Sequence, residues 1–173
     1  MKIQLSNVCK SFGDQIVLDN LNLTVDPHRI TVIIGESGGG KSVLLKHIIG
    51  LIRPDSGSVY IDDIDISVLN DRQLNEIRKN FGMLFQEAAL FDSMTVGENV
   101  AFPIREHTRL SKEEIDGIVE KKLHQVGLKK VTGKMPAELS GGMRKRVGLA
   151  RALALNPKII LFDEPTTGLD PIR

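Results

Sequence analysis

The chain has 173 residues, of which 41% are hydrophobic and 26% are charged, a balance typical of a globular protein with one sizeable core. Its net charge of +1 argues against a dedicated nucleic-acid-binding protein, because such proteins carry an excess of Lys and Arg. The one cysteine, Cys9, cannot form an internal disulfide and suits a reducing compartment. No apolar run approaches the roughly 20 residues that cross a bilayer, so a role at a membrane would depend on a partner.

Residues 3–25 predict two strands, because apolar residues alternate on either side of a turn at Gly13-Asp14. The next apolar run, residues 30–34, is short and β-branched, which predicts a buried strand. Apolar residues from Val43 to Ile49 then recur at helical spacing, with Gly50 as a candidate C-terminal cap.

A glycine-rich loop stands between this strand and this helix. With the residue after it, the loop comprises Gly35, Glu36, Ser37, Gly38, Gly39, Gly40, Lys41, Ser42 and Val43. The spacing G-x-x-x-x-G-K-S between a strand and a helix is that of a P-loop, whose backbone N–H groups surround a phosphate. Lys41 would then reach the β- and γ-phosphates, and the Ser42 hydroxyl would bind Mg²⁺. A simple glycine turn is the alternative, which the full spacing disfavours.

Phe12 stands just before the Gly13-Asp14 turn. An exposed aromatic ring here could stack on the adenine base of a nucleotide, but it could equally be a core or hairpin residue. The residue by itself leaves both readings open.

The segment from Ser58 to Ile66 predicts a strand or hairpin, and residues 73–78 predict a short helix. Residues 80–85 predict a strand that ends on Gln86. A polar amide at the end of an apolar strand is where open α/β folds place ligand contacts.

Residues 87–139 are typical of a helical insertion. Ser111 and Glu114 form a capping box ahead of a helix predicted over 112–125. Earlier in the segment, apolar residues with few charges around them predict either a partner surface or packing within the insertion; they are Leu90, Phe91, Met94 and Val96.

A second glycine element, LSGGM at 139–143, precedes a helix predicted over about 143–155. Ser140, Gly141 and Gly142 at a helix start could bind an anion, or Ser140 could simply cap the helix. Basic residues in the first turn favour an anion nearby, because cations oppose the positive end of a helix.

The segment KIILFDE at 158–164 predicts a buried strand that ends in two carboxylates. Asp163 suits a Mg²⁺ ligand, direct or through water. Glu164 suits a general base that activates water for attack on a γ-phosphate. The alternative is a pair of charges that merely ends the strand.

Four elements follow one another along the chain: the P-loop, the strand-end Gln86, the LSGGM element and the strand with two carboxylates. In this order and over essentially the whole chain, they resemble the nucleotide-binding subunit of ABC transporters. The resemblance implies an ATPase that binds ATP and Mg²⁺. It makes residues 35–42 the Walker A motif, Gln86 the Q-loop with catalytic and metal-binding roles, and 139–143 the signature. Residues 159–164 become the Walker B motif and 168–170 the D-loop, and Phe12 falls where the family stacks an aromatic ring on adenine.

The resemblance also implies partners. Subunits of this family pair head to tail, so Ser140 and Gly142 would contact a γ-phosphate held by Lys41 of a second copy. The flanking sequence, such as LFQEAALFDSMTVGENVAFPIREH, is similar to the ATPases of Mla/Mce-type lipid transport systems. That branch implies a transmembrane permease, an indirect periplasmic Mce-type lipid-binding protein, no nucleic acid, and a cytoplasmic location on the inner face of the cell membrane.

The sequence departs from the family pattern at its end. The sequence ends at Arg173, just after the D-loop, and the family's switch histidine would lie further on. A chain of this length alone is therefore expected to be poorly soluble and to hydrolyse ATP slowly. Alternatives therefore include an ATP-binding module without effective hydrolysis, the ATPase of another importer or exporter, and an ABC protein acting on ribosomes or DNA. The last would usually carry paired cassettes or long coiled coils, which this sequence lacks.

The predicted fold class is α/β, with a P-loop NTPase (RecA-like) core, an N-terminal antiparallel β subdomain and an inserted α-helical subdomain. Residues 1–173 form one predicted domain, incomplete at its C-terminus. Within it, 1–86 hold the β subdomain and P-loop core, 87–150 the helical subdomain with the signature, and 151–173 the Walker B motif and D-loop.

Overall fold

The computed structural model describes residues 1–36, 38–86 and 88–164. The chain forms two compact units, one from Met1 to Arg78 and one from Lys79 onward. The three-part division expected from the sequence stays a prediction.

The first unit is built on an antiparallel sheet. Strands β1 (Ile3–Phe12), β2 (Gln15–Val25), β3 (Ser56–Ile61) and β4 (Ile64–Asp65) lie in the order β2-β1-β3-β4. The turn at Gly13-Asp14 joins β1 to β2, which confirms the predicted hairpin. Helices α1 (Lys41–Ile48) and α2 (Asp71–Arg78) complete the unit. Its core contains alternate residues of β1 and the apolar face of α1, including Ile3, Leu5, Leu44 and Ile48.

The buried strand predicted over residues 30–34 is not present. This stretch has no regular secondary structure, and Ile30 and Ile34 are 95% and 91% exposed. A strand inside a sheet is stabilised by hydrogen bonds to its neighbours, and no strand in the described part of the chain pairs with these residues. The β-branched residues therefore favour an extended backbone, but no neighbouring strand among the described residues forms hydrogen bonds with it.

In its described residues, the second unit contains a parallel strand pair and three α-helices. Strand β5 (Phe81–Leu84) pairs with β6 (Ile159–Phe162) in the register Phe81↔Ile159 to Leu84↔Phe162. Helices α3 (Val96–His107), α4 (Lys112–Gln125) and α5 (Gly141–Ala152) surround a core of buried aliphatic residues. Helix α4 and its Ser111–Glu114 capping box confirm the prediction residue for residue. Strand β6 is buried on one face only, since Leu161 is buried whereas Phe162 is 45% exposed.

Helix α3 is not expected from the sequence, because Pro103 lies inside it and proline normally ends a helix. The sequence does contain its start signal, a capping box in which Thr95 and Glu98 satisfy each other's backbone amides. Val96, for which the sequence left open a partner surface or packing within the insertion, is fully buried in the core of the helices. That placement decides for packing within the insertion, because the Val96 side chain belongs to the first turn of α3 and packs inward.

None of the helices in the described residues is both long enough and apolar enough to cross a membrane.

Candidate functional site

The glycine-rich loop adopts a backbone conformation that requires glycine. Gly38 and Gly40 have φ angles of 79° and 84°, in the left-handed region that favours glycine. A Cβ atom on Gly40 would also approach Val17 Cγ1 and the Val17 carbonyl oxygen to 3.0 Å. Between them, the Gly39 amide donates to the Glu36 carbonyl at 3.1 Å. Left-handed residues of this kind among other conformations are a backbone pattern of anion-binding nests.

Lys41 reaches back across this loop. Its Nζ donates to the Gly35 carbonyl at 3.0 Å and to the Glu36 carbonyl at 2.7 Å. An ammonium group has three donors and no acceptor, so the side chain places a positive charge on the loop with further capacity to donate. This position suits contact with a phosphate group.

The start of α1 differs from the starts of α3 and α4. Its N-cap is Gly40, which makes no side-chain cap hydrogen bond, and its first turn contains no acidic residue. By contrast, α3 and α4 begin with capping boxes and acidic residues in the first turn. The amides of a first helical turn have no partner within the helix and carry the positive end of its dipole. An anion supplied from outside the chain fits this start.

Gln86, Asp163 and Glu164 lie at the same edge of the parallel pair. Since Leu84 is aligned with Phe162, the residues that follow β5 and β6 emerge together, and the Asp163 amide donates to the Leu84 carbonyl at 2.9 Å. The Asp163 carboxylate is buried whereas Gln86 is exposed, and Glu164 has a φ of 47°. The structure thus places Gln86 at the same strand edge as Asp163 and Glu164, which lie about 80 residues further along the chain.

Ser140 caps helix α5, which is one of the two roles predicted for it; the other is anion binding. Its hydroxyl accepts from the Met143 amide at 3.3 Å, and Gly141 and Gly142 form the first turn of the helix. A serine hydroxyl that accepts one hydrogen bond can still donate another, so capping does not compete with anion binding. No acidic residue stands in this first turn.

Phe12 ends strand β1 with its ring 48% exposed, and Lys10 Nζ lies 5.5 Å from the ring centroid. Phe12 pairs with Gln15 across the Gly13-Asp14 turn, so it is a hairpin residue and not a core residue, and stacking on adenine stays a prediction. Ser37 and the predicted D-loop residues 168–170 lie outside the described residues.

The sequence profile of the ABC transporter family matches residues 18–167. This chain belongs to the ABC transporter family. The match includes the loop at 35–42, Gln86, the LSGGM element and the carboxylates at 163–164.

Two relatives illustrate the similarity within the ABC family. "Probable ribonucleotide transport ATP-binding protein mkl" of Mycobacterium tuberculosis is 51% identical over 173 residues, covering 100% of this chain and 48% of that protein. "Intermembrane phospholipid transport system ATP-binding protein MlaF" of Haemophilus influenzae is 51% identical over 170 residues, covering 98% of this chain and 64% of that protein. The chain therefore spans about half to two thirds of the length of these relatives.

A solved structure of the ATP-binding cassette MJ0796, a dimer bound to ADP and Pi in a post-hydrolysis state, superposes with a TM-score of 0.90 at 39% identity. It covers 98% of this chain and 76% of the other. The likeness confirms the predicted fold class, an ABC ATPase fold with an antiparallel β subdomain and a helical subdomain.

Two residues that matter for the geometry after Gln86 are not singled out by any sequence motif. Asn99, fully buried in α3, accepts from the Phe91 amide and donates to the carbonyls of Phe91, Met94 and Thr95. Arg151, in the last turn of α5, donates to the carbonyls of Ala88 and Ala89. In each case the sequence does contain a signal that could have indicated such a residue, namely a polar side chain inside an apolar helical pattern.

Proposed function

We propose that this chain is the ATP-binding and ATP-hydrolysing part of an ABC transporter that moves lipid through a permease. The observation that carries the nucleotide-binding part is the start of α1. It combines a glycine nest, no side-chain cap, no acidic residue in the first turn, and the Lys41 ammonium held on the loop. These features fit the β- and γ-phosphates of a nucleotide.

The remaining site residues have complementary roles in this proposal. Phe12 stacks on adenine, and the Val43 amide in the first turn of α1 joins the phosphate contacts. Mg²⁺ bound to nucleotide phosphates needs only one or two protein ligands besides water. Ser42, Asp163 and Gln86 supply oxygen ligands of that kind.

The hydrolytic step assigned to Glu164 is a phosphoryl transfer to water. The water oxygen attacks the γ-phosphorus, the bond from the γ-phosphorus to the bridging oxygen breaks, and ADP leaves with that oxygen. Glu164 accepts the proton that the attacking water loses. Gln86 orients the water, and Lys41 neutralises charge that develops on the phosphate oxygens.

The proposed working form is a head-to-tail dimer. Ser140, Gly141 and Gly142 of one copy would contact the γ-phosphate held by Lys41 of the other copy. The uncompensated positive start of α5 supports this role. The related cassette MJ0796 is a dimer in its ADP- and Pi-bound structure, which supports a dimer of this chain as well.

The proposed transport partners are a transmembrane permease and, indirectly, a periplasmic Mce-type protein, with the chain on the cytoplasmic face of the inner membrane. Similarity to MlaF, whose name includes phospholipid transport, supports lipid as the cargo. The name of mkl instead gives ribonucleotide as the cargo of that relative. ATPase stimulation of the reconstituted complex by phospholipid, and none by ribonucleotides, is the expected result. The opposite pattern would refute lipid as the cargo.

The proposal of hydrolysis is tested on the full-length protein with a Glu164→Gln variant. The amide keeps the shape of the side chain but cannot accept the proton, so ATP should still bind while turnover falls by about 100-fold or more. Wild-type turnover in the variant would remove Glu164 from the mechanism. ATP binding without turnover in the wild type would favour the alternative of an ATP-binding module.

A further inference from the structure

A left-handed turn at Ala88 and Ala89 follows strand β5. Ala88 and Ala89 have φ angles of 63° and 46°, and the Ala88 amide donates to the Phe85 carbonyl at 2.9 Å. An L-residue in this region costs about 1–2 kcal/mol, so two in succession require stabilising contacts from elsewhere in the fold. Neither residue is glycine, so the sequence of the turn does not favour its own conformation.

Arg151 supplies those contacts. Its Nη1 donates to the Ala89 carbonyl at 2.9 Å and its Nη2 to the Ala88 carbonyl at 2.8 Å. The guanidinium carbon also lies 5.6 Å from the centre of the Phe91 ring, within the range of a cation–π contact. The planar guanidinium presents its donors in a fixed fork, which matches two adjacent carbonyl oxygens.

The Arg151 guanidinium donates its hydrogen bonds to these two carbonyls. In the described part of the chain, no carboxylate forms an ion pair with it. Burial lowers the pKa of its guanidinium, because the charged form is partly removed from water. A desolvated cation is costly unless its donors are satisfied. The two carbonyls and the aromatic ring satisfy it only while the turn keeps its left-handed shape.

Gly148 brings helix α5 close enough for this arrangement. A Cβ atom on Gly148 would lie 2.9 Å from the Ala88 Cβ and 3.0 Å from Leu84 Cδ1, so the helix packs directly on the turn. Gly148 and Arg151 are three residues apart and therefore share one face of α5. The other end of the same helix carries Ser140 and Gly142.

We propose that Arg151 is a positioning residue that fixes the left-handed turn at Ala88 and Ala89 to the last turn of α5. Through it, the backbone that begins two residues after Gln86 is held to the helix that begins with the LSGGM element. This inference deepens the proposed function and rests on it for the hydrolysis measurement, whereas the link between helix and turn can be measured without hydrolysis.

The test compares Arg151→Met, Arg151→Lys and a matched control in the full-length protein. Methionine keeps the aliphatic stem but removes every donor, and lysine keeps the charge but lacks the fork that bridges two carbonyls. The control is Arg146→Met on the same helix, because Arg146 is exposed and its contact with the Gly127 carbonyl is long, at 3.4 Å. Hydrogen exchange is followed in residues 84–94 and, for comparison, in 112–125.

Arg151→Met should speed exchange in 84–94 by about tenfold or more, since it removes two charge-assisted hydrogen bonds, and should leave 112–125 unchanged. The kcat for ATP should fall by about tenfold or more while the dissociation constant of ATP changes by less than about threefold. Arg151→Lys should have an exchange rate in 84–94 and a kcat between those of Arg151→Met and the wild type. Arg146→Met should resemble the wild type in both.

Unchanged exchange in 84–94, or equal losses of kcat in Arg151→Met and Arg146→Met, would overturn the proposal. Faster exchange in both segments would also overturn it, because it would indicate a general loss of stability. If the wild-type protein does not hydrolyse ATP but the exchange of 84–94 responds as expected, the link stands and the proposed hydrolytic function fails.

Discussion

At the scale of single residues, Lys41 decides whether the glycine loop can hold a phosphate. Its ammonium lies on the carbonyls of Gly35 and Glu36, where it can give charge-assisted hydrogen bonds to phosphate oxygens. We expect Lys41→Ala to weaken ATP binding by about 10- to 100-fold, since hydrogen bonds to charged groups contribute about 1.5–3 kcal/mol. Calorimetric titration of the full-length protein measures this.

The matched control for Lys41 is Lys46→Ala. Lys46 belongs to the last turn of the same helix, so its removal changes the net charge equally without touching the loop. Equal affinities for ATP in the wild type and in Lys41→Ala would contradict the assignment of the loop as a phosphate site.

At the scale of secondary-structure elements, Asn99 holds the chain between β5 and α3. It is fully buried and makes four hydrogen bonds to the backbone of residues 91–95. Asn99→Ala removes the side-chain partner of the Phe91 amide and of the Met94 carbonyl, while the carbonyls of Phe91 and Thr95 keep backbone partners. The substitution also opens a small cavity, so it should lower the free energy of unfolding by about 2–4 kcal/mol. Urea denaturation measures the change.

Asn75→Ala provides the comparison for Asn99. Asn75 is exposed on α2, where its side-chain oxygen accepts a hydrogen bond from the Arg78 guanidinium at 2.9 Å. Loss of this surface contact should cost less than about 0.5 kcal/mol. A similar cost for both variants would mean that Asn99 does not hold the segment in place.

The antiparallel sheet contains a pH-dependent contact at Asp55. Its carboxylate accepts from Lys10 Nζ at 2.6 Å and from the Ser11 amide at 2.7 Å. The Lys10 hydrogen bond, and then the amide, lower the pKa of Asp55 below its ordinary value of 3.8. Because the folded-state pKa is depressed, this stabilisation is present above the unfolded-state pKa and is lost as the pH falls through the folded-state pKa.

Asp55→Asn should therefore lower the melting temperature at pH 7 and converge with the wild type as the pH falls below 3.8. Asp63→Asn, in the exposed turn between β3 and β4, serves as a control without these contacts. A difference between wild type and Asp55→Asn that stays constant with pH would refute the role of the carboxylate charge.

At the scale of the whole molecule, we propose that the exposed surface at Phe91 is the contact with the permease. Phe91 is 42% exposed and packs on Phe102 at 5.0 Å between ring centres. With Arg151 and Pro103 these rings line a groove of about 340 Å³ in the second unit. Asn99 and Arg151 hold the backbone on either side, so the aromatic surface is preformed, which lowers the entropic cost of binding.

Phe91→Glu should reduce co-purification of the permease by about tenfold or more, because a charge in an apolar contact is costly. ATP affinity should stay within about threefold of the wild type. Val68→Glu is the control, since Val68 is an apolar residue 74% exposed in the first unit. Retained capture by Phe91→Glu would place the permease contact elsewhere, and loss of both capture and ATP binding would indicate misfolding.

The sequence alone determined the features that depend on neighbours along the chain. The Ser111–Glu114 capping box defined the start of α4 to the residue, and the G-x-x-x-x-G-K-S spacing located a loop in which Gly38 and Gly40 have left-handed angles. Both follow from backbone geometry over a few residues, which local chemistry dictates. The order of the four elements was enough to indicate the ABC transporter family.

Only the tertiary structure decided which side chains are buried and which chain segments hold one another. The apolar run at 30–34 predicted a buried strand but is exposed, and only burial decided that Val96 packs within the helical insertion and not on a partner surface. The contacts of Asn99 and Arg151 join residues up to 63 positions apart, and no local pattern encodes them. Burial and long-range hydrogen bonds depend on which neighbour the fold supplies, and that neighbour is set by packing rather than by adjacent sequence.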